Sequence, residues 1–119
     1  VTLNQASGVS DNQSSVSFDG VTSYIDLGNN FEGTSDATLE AWIYPTDVSG
    51  TRPLFAKHSG SRGYVLELVA GQVSFRVTND VGVTHTVTGA TTLSVNTWYH
   101  VASVRNSANG TIKVYVNAI

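Results

Sequence analysis

The 119-residue chain contains neither cysteine nor methionine. Without cysteine it forms no disulfide staple and no thiolate metal site, so its stability must come from a packed core. Lacking methionine and beginning at Val1, it reads as a mature or excised piece rather than an unprocessed translation product. Charge is scarce, with 13% of residues charged and a formal net charge of −3. Six basic against nine acidic residues cannot neutralise a run of phosphates or hold a chain on an acidic membrane, which argues against nucleic acid as a partner. No apolar run nears the roughly 20 residues that cross a bilayer, and no basic-then-apolar leader opens the chain. The expectation is a protein that does not span a membrane.

Helical periodicity is also missing. Seventeen Val, fourteen Thr, fourteen Ser, eleven Gly and nine Asn make up more than half of the chain, against two Lys and three Glu. β-branched and turn-forming residues in such excess specify an all-β protein. A low-charge surface of Thr, Ser and Asn is common in extracellular, cell-surface and virion proteins, and one of those settings is expected.

Period-two alternation between turn residues predicts nine strands: 15–18, 23–27, 37–44, 52–58, 63–69, 72–78, 83–88, 97–105 and 111–116. The first two can pair as a hairpin across Asp19-Gly20. Ala70-Gly71 and the four residues 79–82 join three consecutive antiparallel strands, and Asn109-Gly110 joins the last two. Many short antiparallel strands at this spacing point to a two-sheet sandwich or jelly roll. Residues 1–119 fit one domain, with polar residues 1–13 expected as a loose arm.

Four ordered segments carry a family resemblance: VSFDGVTSYIDLG at 16–28, ATLEAWIYP at 37–45, NTWYHVA at 96–102 and GTIKVYVN at 110–117. Together the chain resembles a laminin G-like domain of the concanavalin A-like lectin/glucanase superfamily. The resemblance implies a jelly-roll sandwich, a non-catalytic role in binding a glycan or a protein, and often a structural calcium. Such domains usually continue with a returning strand and a final strand bearing an Ile-Asp-Asp-Val-Arg-like motif. This chain stops at Ile119, so the expectation is that the closing strands lie further along a longer protein or come from another chain.

A retaining glycosidase needs two carboxyl groups about 5 to 5.5 Å apart, and the Glu-x-Asp-x-(x)-Glu run that supplies them in the superfamily's glucanases is absent. Glu40 and Glu67 each stand alone in their strands, and His58, His85 and His100 are scattered. No enzyme is expected. Glu40 and Trp42 share a strand face and could form a sugar platform, or Glu40 could pair with Arg105, Arg76 or Lys57. Trp98 and His100 share a strand face with Ala102 and Val104, which assigns them to core or inter-sheet packing. Of the aromatics outside the framework motifs, Tyr64 and Phe31 are the ligand-binding candidates, with Phe55 behind them.

Calcium takes roughly six to eight oxygen ligands. Asp19, Asp26, Asp36 and Asp47 sit at strand ends or loops, and Asp19, in the family-like Phe-Asp-Gly turn, is the candidate ligand. Each is equally a turn former that caps its own backbone. The reading is a binding or adhesion module for a glycan or protein. A structural decoration or assembly domain that associates with itself or with a larger particle is the alternative.

Overall fold

A computed structural model describes residues 2–6, 14–28, 36–59 and 62–119, and the chain divides into two compact units, Val1–Asn30 and Phe31–Ile119. In the first unit, strands β1 (Thr2–Ala6) and β2 (Ser14–Ser17) pair antiparallel, with Thr2 opposite Ser17 and Ala6 opposite Ser14. The segment expected to be a loose arm thus contributes a strand, and the run 23–27 is not one. The cause is local. β2 takes its ladder from β1, and the chain after it is gathered by Asp19, whose Oδ1 accepts the backbone N–H groups of Val21, Thr22 and Ser23 at 2.9 Å each. Gly20, at φ +71°, supplies the left-handed residue of that turn.

The second unit is a sandwich of two antiparallel sheets. One has the order β3-β8-β9, from β3 (Ala37–Ile43), β8 (Tyr99–Asn106) and β9 (Thr111–Val116). The other has the order β4-β5-β6-β7, from β4 (Thr51–Ser59), β5 (Arg62–Val69), β6 (Gln72–Thr78) and β7 (Thr84–Thr92). All seven lie on segments that alternation marks as strands, with β7 running on to Thr92. The β5–β6 turn has Ala70 at φ 48° and Gly71 at φ 82°, the two positive angles that suit a right-twisted hairpin. A side chain on Gly71 would meet Thr92 Cγ2 at 3.2 Å, so the turn also needs the missing Cβ.

The core lies between the sheets. Tyr64, Leu66, Leu68, Val73, Phe75 and Val77 come from the four-stranded sheet, Val101 and Val116 from the three-stranded one, and Leu93 from the connection between them. Leu39, Ala41, Ile43, Tyr99, Ile112 and Val114 pack against this cluster. Leu66 and Phe75 stand directly opposite each other at its centre, both essentially fully buried. Ser103 also faces inward from β8, fully buried, and its Oγ has no hydrogen-bond partner among the described residues.

Two stability changes of opposite sign follow. Leu66→Ala removes buried methyl groups from a site held on both sides by strands, and is expected to cost about 3 kcal/mol or more. Ser103→Ala removes an unpaired buried hydroxyl and is expected to raise stability by about 1 kcal/mol. Urea midpoints at constant m-value check both, and a Ser103→Ala variant clearly less stable than the parent contradicts the second.

Candidate functional site

Because Leu39, Ala41 and Ile43 are spent on the core, β3 turns Thr38, Glu40 and Trp42 to the outside. Register carries the consequence across the sheet. Glu40 stands opposite Ala102 and Trp42 opposite His100, while Tyr115 and Lys113 on β9 stand opposite Ala102 and Val104. The outer face of the three-stranded sheet therefore collects Glu40, Trp42, His100, Tyr115 and Lys113 around the small side chain of Ala102. Trp42 is 49% exposed and Tyr44, just past the strand, 45%.

The aromatic rings are braced in pairs. Trp42 and His100 lie with ring centroids 5.4 Å apart at 52°, and Tyr44 and Trp98 at 5.4 Å and 50°. Such tilted contacts fix ring orientation while leaving one face open. Glu40 Oε2 is 3.5 Å from His100 Nε2. The backbone of His100 is clamped in turn: its N–H donates to Asn117 Oδ1 at 3.0 Å, and Asn117 N–H donates to the His100 carbonyl at 2.8 Å. Two half-exposed aromatic rings, a carboxylate and an imidazole on one rigid sheet form a surface that can stack against an apolar ring face and accept hydroxyl donors.

A family model described as the concanavalin A-like lectin/glucanases superfamily, of laminin G type, matches residues 19–119. The chain belongs to this family. No curated protein and no solved structure matches it. Laminin G-like domains are in general binding modules, typically non-catalytic and commonly extracellular. Among the described residues no helix is long and apolar enough to cross a membrane.

Within this laminin G-like sandwich the expected site residues separate. Glu40 and Trp42 come together on the outer face as expected, but the partner of Glu40 is His100 rather than Arg105, Arg76 or Lys57. Trp98 and His100, expected to pack between the sheets, stand on that outer face, and it is Tyr99 that turns inward, its hydroxyl accepting Ser94 N–H at 3.1 Å. Tyr64 is corrected outright. It is 5% exposed and sits in the core, where burial raises the pKa of its phenol, so its ring offers no surface to a ligand. Phe55 packs against the core beside a bulge in β4, and Phe31 lies outside the described residues. Glu40 and Glu67 occupy different sheets and so do not form a carboxylate dyad.

The aspartates considered for calcium are committed elsewhere. Asp19 accepts three backbone N–H groups on Oδ1 and the Thr22 hydroxyl on Oδ2. Asp26 accepts Gly28 N–H, Asp36 accepts the Ser107 N–H and hydroxyl, and Asp47 accepts Ser49 N–H and the Arg52 guanidinium. No three His, Asp or Glu side chains gather among the described residues. This donor set does not fit a calcium ion, which needs several carboxylate and carbonyl oxygens converging from one loop region.

Those hydrogen bonds have a measurable consequence. The amides of Val21, Ser23 and Thr22 hold the Asp19 carboxyl well below the usual carboxylate range, as do the Arg52 guanidinium and Ser49 amide for Asp47, and the Ser107 hydroxyl and amide lower that of Asp36. As pH falls, the unfolded chain takes up protons first, near the ordinary Asp value of about 3.9. The stability these groups supply is complete above that value and is lost as pH falls through their lower folded-state values. Thermal midpoints should therefore decline from about pH 4 downward, and Asp36→Asn should make that decline shallower. An equally steep acid limb in the variant contradicts the assignment.

Proposed function

We propose that the domain is a non-catalytic glycan-binding module of an extracellular, cell-surface or virion protein, with the outer face of the β3-β8-β9 sheet as its platform. The observation that carries this reading is the exposure of Trp42 and Tyr44 on one face, each braced by a second ring, with the Glu40 carboxylate beside them. A pyranose ring has an apolar face of C–H groups and an equatorial rim of hydroxyls. Trp42 meets the first by stacking, and Glu40, as an acceptor of two or more hydroxyl donors, meets the second. An open sheet surface suits an extended oligosaccharide better than a single deeply enclosed sugar.

The test is a glycan array followed by calorimetry on the best binder. Trp42→Ala is expected to weaken binding at least about tenfold, a loss of roughly 1.4 kcal/mol, while the sheet stays folded because the ring is outside the core. Glu40→Gln should weaken it less, since the amide keeps one acceptor. Chelator should leave affinity unchanged. Unaltered binding in Trp42→Ala sinks the platform.

A protein partner, or self-association within a larger assembly, has its own support. The first unit leaves Phe18, Val21, Tyr24, Ile25 and Leu27 at least half exposed or nearly so. Apolar residues grouped so closely in sequence mark a contact surface. Native mass spectrometry decides self-association: multimers support it, and a monodisperse monomer rejects it.

A further inference from the structure

The turn between β8 and β9 holds chemistry that neither sheet face uses. Asn109 and Gly110 lie in it, just before β9, and both are exposed. The Asn109 side chain is folded forward over Gly110: its Oδ1 accepts the Thr111 backbone N–H at 3.1 Å and the Thr111 hydroxyl at 2.7 Å. This closes an Asx turn around the Gly110 peptide. The Asn109 N–H is held in its turn by Asn106 Oδ1 at 3.2 Å, so backbone and side chain are both fixed.

An asparagine so placed faces a nucleophile in its own chain. The Gly110 nitrogen closes a succinimide ring when it bonds to Asn109 Cγ, and groups held together in this way react far faster than separate molecules. Gly110 stands at φ +70°, and nothing lies within 4 Å of the position a Cβ would take, so no side chain crowds the approach. No backbone carbonyl among the described residues takes the Gly110 N–H. The Thr111 amide and hydroxyl meet the oxygen on which negative charge develops when Cγ is attacked, an arrangement that lowers the barrier to acyl transfer.

Comparable positions each lack one part of this set. Ser107, which follows Asn106, has its N–H tied to Asp36 Oδ1 at 2.7 Å, so that nitrogen is not available for attack. Asn79 Oδ1 accepts the amides of Val81 and Val83 at 3.1 and 2.9 Å, but the next residue is Asp80, whose side chain crowds the attacking nitrogen and whose charge resists loss of its proton. Asp19-Gly20 has an open glycine with nothing within 4 Å. There the amides that hold the Asp19 carboxyl keep it ionised, and a carboxylate repels a nucleophile and offers no good leaving group.

We propose that Asn109 is a self-modification site, at which the Gly110 nitrogen displaces ammonia from the Asn109 side chain while Thr111 stabilises the charge that forms on Oδ1. Water is the only co-reactant. The Gly110 nitrogen gives its proton to solvent and bonds to Cγ; the Cγ–Nδ2 bond breaks, and Nδ2 takes up a proton and leaves as ammonia. Water then opens the succinimide at either carbonyl, giving aspartate or isoaspartate. Either product adds a negative charge to a chain of net charge −3. Isoaspartate also lengthens the backbone by a methylene in the turn that sets Asn106 opposite Thr111. This turn lies at the far end of β8 from His100 and its neighbour Trp42, and its chemistry is independent of the glycan platform.

The experiment follows every asparagine by peptide mass spectrometry while the full chain stands in mildly alkaline buffer, folded or unfolded in guanidinium chloride. In the folded chain Asn109 is expected to convert about tenfold or more ahead of Asn106 and Asn79, and at least as fast as it does in the unfolded chain. Conversion led by Asn106 or Asn79, or an Asn109 that converts more slowly folded than unfolded, shows that the fold protects the turn and overturns the proposal. Thr111→Val keeps the β-branched shape of an exposed residue and loses the hydroxyl. It should slow the folded chain about tenfold and leave the unfolded chain unchanged, where Thr111 holds nothing; Thr111→Ser should keep the parent's rate. Equal folded rates in the parent and Thr111→Val overturn the part given to the hydroxyl. The comparison of folded with unfolded parent needs no variant, so it decides the site even where a substitution prevents folding.

Discussion

Burial of Leu66, Leu68, Val73 and Phe75 between the two sheets constrains everything else in the larger unit. A strand offers only two faces, and once a core claims one of them the other is fixed residue by residue. The outward phase of β3 and β8 follows from Leu39, Ala41, Ile43 and Val101 joining the core. That phase alone brings Trp42 opposite His100 and Glu40 opposite Ala102. A one-residue slip in β3 would send Glu40 and Trp42 into the core and push Ala41 and Ile43 into water, so the candidate binding surface is held by the same hydrophobic term that holds the fold.

Much of this was legible in advance, and the failures have physical causes. Seven of the expected strands are the seven strands of the sandwich, because Gly, Asn, Asp and Pro punctuate them with turn chemistry that works over two to four residues. The four framework segments also pointed to the family that the match over residues 19–119 establishes. Pairing in the first thirty residues was not legible. Ser15–Phe18 alternates equally well toward either neighbour, and only three-dimensional context chose β1 over 23–27. The phase of β8 misled for a related reason. Trp98, Ala102 and Val104 are together more apolar than Tyr99, Val101 and Ser103, so composition favours the wrong face inward. The correct face wins because Tyr99 and Val101 meet the core partners Ile43 and Ala41 across the ladder to β3.

Tyr64 and Glu67 show how the same reasoning could have gone further. The turn Ala70-Gly71 fixes the β5–β6 register, with Val69 opposite Gln72 and Glu67 opposite Ser74. Counting from that turn places Arg76 diagonal to Glu67 and Tyr64 opposite Val77, on the face shared with Leu66 and Leu68. Both the ion pair and the burial of Tyr64 were therefore implicit in a turn that the sequence marks clearly. Exposure of Trp42 was implicit in the same way, through the Leu39, Ala41 and Ile43 alternation.

Two buried polar features of the sandwich separate structural tolerance from chemical purpose. Ser103 is an orphan: it faces the core, makes no hydrogen bond among the described residues and weakens the packing it interrupts. Glu67 is buried to a similar degree but faces outward, and both of its oxygens are satisfied by one guanidinium that remains half in solvent. If burial of a carboxylate served only to stabilise the sheet, an apolar pair at the same diagonal would serve better, because the desolvation of two ions offsets most of their attraction. What an apolar pair cannot provide is a fixed donor at the surface. The outer face of the three-stranded sheet thus exposes the Trp42 and Tyr44 rings, while that of the four-stranded sheet carries the Glu67–Arg76 pair.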